Sequence, residues 1–208
     1  MTVRKQRFES WVGTYDASPE DTAGFPFAGY TEVLTAVVSG SRVEKAGRVL
    51  DIGTGTGALA ARFASTGCHV LGVDFSEAML AQARNNVPEA QFGPLELLEP
   101  WDVLEGWRFD AVVSSYVLHE FDWSIKVGLL EQMAALLEPG GRIVMGDISF
   151  ETAAALKAAY GQWEKVWDDS EHYWVAEEAI TALTDLGFSV SYRQVSFCGG
   201  VYTLTLAR

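Results

Sequence analysis

The stretch Val49-Leu50-Asp51-Ile52-Gly53-Thr54-Gly55-Thr56-Gly57 places a carboxylate and three alternating glycines around the end of a short apolar run. Glycines where a strand hands over to a helix let backbone approach a ligand with no Cβ in between. Asp74 closes the next apolar run, His69 to Val73, where a carboxylate can accept hydrogen bonds from ribose hydroxyls. Turn and carboxylate together point to a ligand that contains adenosine. The same residues satisfy a dinucleotide pattern, since Gly53, Gly55 and Ala58 are followed by Asp74 at about the expected ~20-residue distance. Three features count against that pattern. Asp51 is badly placed for a pyrophosphate and well placed for a cationic amino acid moiety, a third glycine stands at Gly57, and the chain ends on an antiparallel hairpin. No Gly-Lys-Ser or Gly-Lys-Thr follows, which excludes a phosphate-cradling P-loop.

A second group, His119-Glu120-Phe121-Asp122, follows the fourth apolar run at what would be the rim of the same site. His119 is a candidate general base or a pocket-shaping residue, the base being needed only for an acceptor that arrives protonated. A metal site is not expected, because His69, His119 and His172 share no close ligand spacing with the cysteines. Trp163, Trp167, Tyr173 and Trp174, interleaved with Asp168, Asp169 and Glu171, could cover a cationic or planar ligand. Trp163 and Trp167 are also one helical turn apart, a spacing that suits packing on a core.

The elements that must hold these groups alternate. A helix over Tyr30 to Val38, ending at Gly40, precedes a strand at Val49 to Ile52 and a helix at Ala58 to Ala64. A strand at His69 to Val73 and a helix from Ser76, its N-cap, to Asn86 follow. The third strand is expected near Ala90 to Phe92 and the fourth at Phe109 to Ser115. A helix over Ser124 to Leu137 is stopped by Pro139-Gly140-Gly141 before a strand at Arg142 to Met145. Such alternation implies a parallel sheet with helices on both faces. Helices at Glu151 to Tyr160 and Ala176 to Leu186 precede strands at Phe188 to Phe197 and Val201 to Leu206. Gly199-Gly200, too short for a parallel crossover, forces those two strands into a hairpin.

With 208 residues, 49% of them hydrophobic, the chain suits one domain with a substantial core. The net charge of −13 repels nucleic-acid phosphates and anionic lipid. The only basic cluster in the sequence, Arg4, Lys5 and Arg7, reads as a solvated terminal segment, so neither nucleic acid nor membrane is expected as a partner. Cys68 and Cys198 suit buried free thiols, and no run has the length of a signal peptide or a membrane span, so the expected address is cytoplasmic.

Four motifs in order carry a resemblance to the class I S-adenosylmethionine-dependent methyltransferases. They are Val49 to Gly57, Gly72-Val73-Asp74-Phe75-Ser76, Phe109 to His119, and Leu137-Glu138-Pro139-Gly140-Gly141. The opening Trp11-Val12-Gly13-Thr14-Tyr15-Asp16 resembles the lid of small bacterial members whose substrates are mostly unassigned. The resemblance implies an α/β, Rossmann-like three-layer sandwich with a seven-stranded mixed sheet and a C-terminal antiparallel hairpin. It also implies S-adenosylmethionine as cofactor and transfer of its methyl group to a small-molecule acceptor. By the same resemblance Gly53 and Gly55, supported by Asp51, lie against the methionine part, Asp74 holds the ribose and Phe75 packs on adenine. Tyr15 and Tyr30 close over the methionine end, and Ser115 borders the site. Family members often carry an acidic residue just after the third strand; here the text reads Gly93-Pro94-Leu95-Glu96, so Glu96 or backbone takes that contact.

On this reading residues 1–46 form a helical lid, 47–150 a cofactor-binding core, 151–175 a cap and 176–208 a helix with the terminal hairpin. A nicotinamide-dependent oxidoreductase and a non-catalytic binding module stand as the alternatives.

Overall fold

The structure, a computed structural model, describes residues 24–206. The proposed lid motif with Tyr15, and the basic cluster at Arg4 to Arg7, lie outside the described residues. The described chain runs α1 (Tyr30–Ser41), β1 (Arg48–Ile52), α2 (Ala58–Ser65), β2 (His69–Asp74), α3 (Glu77–Asn86), β3 (Gln91–Pro94) and β4 (Phe109–Ser115). It continues with α4 (Trp123–Ala135), β5 (Leu137–Phe150), α5 (Ala153–Trp163), β6 (Trp174–Val175), α6 (Ala176–Asp185), β7 (Phe188–Gln194) and β8 (Gly199–Leu206).

Seven strands lie in the order β3-β2-β1-β4-β5-β8-β7, and β6 pairs with the end of β5 off that path. β1 to β5 are mutually parallel, whereas β8 is antiparallel to both β5 and β7. The central strands are apolar on both sides because both faces are covered. Leu50, Ile52 and Val112 face the cluster built with Leu129, Leu130 and Met133 of α4 and Leu183 of α6. Val49, Ala111 and Val113 face the opposite cluster with Val33 and Val37 of α1 and Phe63 of α2. Neighbours in the chain thus point to opposite layers, the period-2 geometry of a strand inside a three-layer sandwich.

The structure shifts three boundaries. The Pro139-Gly140-Gly141 segment does not stop a helix; α4 has already ended at Ala135, and these residues lie within β5. Phe109 pairs with Leu137 and the ladder resumes at Ala111 with Arg142, so residues 138–141 bulge opposite Asp110. Gly199 and Gly200 are not the hairpin turn but the start of β8, and the turn is Val195 to Cys198. Gly200 is required there for close approach, since a Cβ would lie 2.4 Å from the Tyr192 hydroxyl and 2.6 Å from its ring. Of the two free cysteines Cys198 is buried, but Cys68 is only half-buried. Among the described residues no helix is long and apolar enough to cross a membrane.

Candidate active site

The strand order reverses between β1 and β4, and the carboxyl ends of β1, β2 and β4 open there onto one edge of the sheet. Ligands of open α/β sheets bind at such a switch point. β1 ends at Ile52 and the chain turns at once, with Gly53 and Thr54 both donating backbone N–H to the Val73 carbonyl at 2.8 and 3.0 Å. The Gly55 N–H donates to Asp74 Oδ2 at 3.0 Å and the Ser76 N–H to Oδ1 at 2.9 Å. Asp74 therefore fastens the end of β2 to the glycine turn and holds the N-terminus of α3. Ser76 caps that helix as the sequence implies, its hydroxyl accepting from the Met79 N–H.

A cavity adjoins these groups, lined on one side by Gly53, Gly55 and Asp74 and on the other by Tyr116, Val117 and Glu120. Phe75, Met79, Leu95 and Leu97 complete an apolar slot. Gly55 has φ +54°, and a Cβ there would meet nothing within 4 Å, so the backbone of the turn lies open to the cavity.

The cavity gathers Gly53, Gly55, Asp74 and Phe75, and four other expected residues are placed differently. Asp51 is fully buried beneath the turn, accepting from the Thr54 hydroxyl at 2.7 Å, and does not line the cavity. Burial pushes its carboxyl up to about 7, against the Thr54 hydrogen bond and with the nearby charge of Asp74 adding to the rise. A carboxyl so placed supports the loop rather than facing a ligand. Glu96 is exposed while its neighbours Leu95 and Leu97 turn inward, because side chains alternate along extended chain. Ser115 is half-buried, and the next two residues reach the cavity in its place. Tyr30 stacks on Tyr116 at 5.2 Å and so stands one ring behind the cavity wall.

Tyr116, which the sequence reading did not single out, has a left-handed backbone at φ +55°, held by its N–H on the Gly146 carbonyl at 2.9 Å. Strained φ of this kind in a non-glycine residue clusters at functional sites. Its position, immediately past the end of β4 at the switch point, was the available signal.

His119 is 5% exposed and tightly oriented. Its Nδ1 lies 2.6 Å from Asp147 Oδ1, and its backbone N–H donates to Oδ2 at 3.0 Å. The Trp174 indole N–H and the Ile148 N–H complete the shell of Asp147, at 3.0 and 2.9 Å. Burial opposes charge on the imidazole, but the carboxylates of Asp147, Glu171 and Glu120 together raise its affinity for a proton. Asp147 is held below the usual carboxylate range by His119 and Lys126 despite its burial. The cap aromatics follow the packing alternative: Trp167 stacks on Phe25 at 4.8 Å, and Tyr173 meets Phe25, Phe150 and Trp167 edge-on.

A parallel sheet with a glycine turn and ribose-type carboxylate at its switch point, extended by an antiparallel hairpin, defines an α/β enzyme of the nucleoside-binding methyltransferase type. The methyltransferase-domain family profile matches residues 49–141. Uncharacterized methyltransferases of Bacillus velezensis and Bacillus subtilis (YrrT) are each 30% identical, over 90% of this chain and 90% of theirs. The chain belongs to the class I methyltransferases, whose methyl donor is S-adenosylmethionine. Among solved structures, the DhpI-SAH complex has the same fold at TM-score 0.75 and 18% identity, covering 98% of this chain and 95% of that one. The DhpI-SAM-HEP complex matches at TM-score 0.73 and 19% identity, covering 98% and 97%.

Proposed function

We propose that this methyltransferase holds S-adenosylmethionine along the carboxyl ends of β1, β2 and β4 and passes its methyl group to a small-molecule acceptor. The observation that carries the reading is the convergence of Gly53, Gly55, Asp74 and Phe75 on one cavity with a polar and an apolar half. Asp74 meets the ribose hydroxyls, and Phe75, Met79, Leu95 and Leu97 sandwich the adenine. The turn at Gly53 and Gly55 approaches the methionine part. Asp51 acts indirectly by fixing that turn, and Tyr30 by bracing Tyr116.

When bound, the donor supplies an activated methyl on a sulfonium, so the protein has mainly to position the acceptor and exclude water. The chain's own residues that face this task are Tyr116, Val117 and Glu120 on the β4 side of the cavity. The acidic net charge supports a small acceptor over nucleic acid. The fold does gather Arg42, Arg142 and Arg193 in a groove, but at the opposite edge of the sheet from the cavity.

Calorimetric titration with S-adenosylmethionine and S-adenosylhomocysteine, on wild type and Asp74→Ala, tests the donor site. Micromolar binding weakened at least about tenfold by the substitution is expected, the loss of charge-assisted hydrogen bonds at one carboxylate. Absence of binding to folded wild type would overturn it. Tight tRNA binding at physiological salt would overturn the small-acceptor part.

A further inference from the structure

Beside the cofactor cavity, His119, Glu120 and Glu171 bring one imidazole nitrogen and two carboxylates together. His119 Nε2 lies 3.8 Å from Glu120 Oε1 and 3.9 Å from Glu171 Oε1. One ligand atom from each of the three falls within 4.8 Å of the others. All three side chains are largely buried, at 7, 12 and 9% exposure. An imidazole and two carboxylates gathered in this way make a donor set of the kind that holds a divalent cation.

The imidazole gives the second, independent indication. Asp147 takes Nδ1 at 2.6 Å and fixes the ring, which turns Nε2 toward the two glutamates with no hydrogen bond of ordinary length to a described residue. A carboxylate on the far nitrogen of an imidazole is the usual support for a metal-ligating histidine, because it sets the tautomer and raises the basicity of the ligating nitrogen. Asp147 is itself anchored by Trp174 and by backbone, so the ring is held before any ion arrives.

We propose that His119, Glu120 and Glu171 form a divalent-cation site, with Asp147 orienting the imidazole. Bonds of about 2.1 Å place neighbouring ligand atoms about 3.0–3.4 Å apart, so rotations of the two long glutamate side chains by about 1 Å close the site. One imidazole with two carboxylates suits manganese or zinc better than calcium, which takes oxygen ligands only. Three protein ligands leave coordination positions open. Glu120 also lines the cofactor cavity, so an ion here stands at its wall. The class of acceptor that fits is a small molecule with a hydroxyl, carboxylate or other oxygen donor that binds the cation while its reactive atom faces the methyl. This last step rests on the proposed function. Sequence spacing concealed the site, because Glu171 stands 51 positions beyond Glu120.

The test is titration of the full chain with manganese chloride, followed by water-proton relaxation and by broadening of the histidine ring signals in NMR. One ion per chain in the micromolar range is expected, broadening His119 ahead of His69, which begins β2 at the amino end of the parallel strands. Glu171→Gln should weaken it at least tenfold, and Glu120→Gln likewise. Failure of wild type to bind manganese or zinc, broadening of His69 as readily as His119, or unchanged affinity in both variants overturns the proposal. The parallel S-adenosylhomocysteine titration reports on the donor site alone, so the two readings fail separately.

Discussion

Asp51→Asn is the most direct probe of the electrostatics beneath the glycine turn. In the folded protein burial keeps this carboxyl protonated up to about pH 7, against 3.8 for the free group. Between those values the unfolded chain releases the proton and the folded chain keeps it. Stability contributed at this position is therefore fully present below the unfolded value, falls as pH rises through the window, and is flat above the folded value. At about 1.4 kcal/mol per unit, the penalty of Asp relative to a neutral isostere grows by about 2.5 kcal/mol between about pH 5 and about pH 8. Asparagine has the same shape and its carbonyl can accept from the Thr54 hydroxyl, which now donates to Asp51 at 2.7 Å. Its extra N–H groups shift the stability difference by a constant and leave the slope unchanged. Urea unfolding of both proteins across this pH range isolates the group, because every other titrating residue is common to the two. The asparagine variant should gain on wild type as pH rises. A difference that is flat, or that shrinks with pH, would refute the assignment of a protonated Asp51.

Two further substitutions test packing and the site wall. Gly200→Ala places a methyl against the Tyr192 ring, within 2.6 Å of its edge, and should destabilise by about 1–3 kcal/mol in chemical denaturation; an unaffected midpoint would show that β7 and β8 can part freely. Glu96→Ala should leave S-adenosylhomocysteine affinity within about threefold, since surface changes rarely exceed ±0.5 kcal/mol, whereas Leu95→Ala should reduce it by more than about tenfold. Loss of affinity in the Glu96 variant would return that carboxylate to the adenine.

Most elements were legible because their causes are local. The glycine turn, the Ser76 cap and the doubly buried apolar runs at Val49 and Phe109 follow from backbone freedom, capping and periodicity within a few residues. β6 was not legible: two residues, Trp174 and Val175, pair only because β5 runs on to Phe150. The hairpin turn was misplaced for a related reason, since glycine marks close approach to Tyr192 as readily as it marks a bend. For the candidate site, residue type and chain order singled out Gly53, Gly55, Asp74 and Phe75, which lie at or just past strand ends and line one cavity. Side-chain direction decided the others: Asp51 points beneath the turn, Glu96 to solvent, and Tyr116 into the cavity.

The sequence by itself determined the α/β alternation, the methyltransferase motifs and the carboxylate that fastens the glycine turn, because each depends on neighbours along the chain. Only the tertiary structure decided which carboxyl is buried, and so which one is pushed up toward neutrality. It also decided that Asp147 would orient His119, and that Glu171, from the segment before β6, would come within 3.9 Å of His119. Proximity of that kind is set by how distant segments cross at one edge of a sheet, and burial then turns proximity into chemistry by removing the water that would screen it.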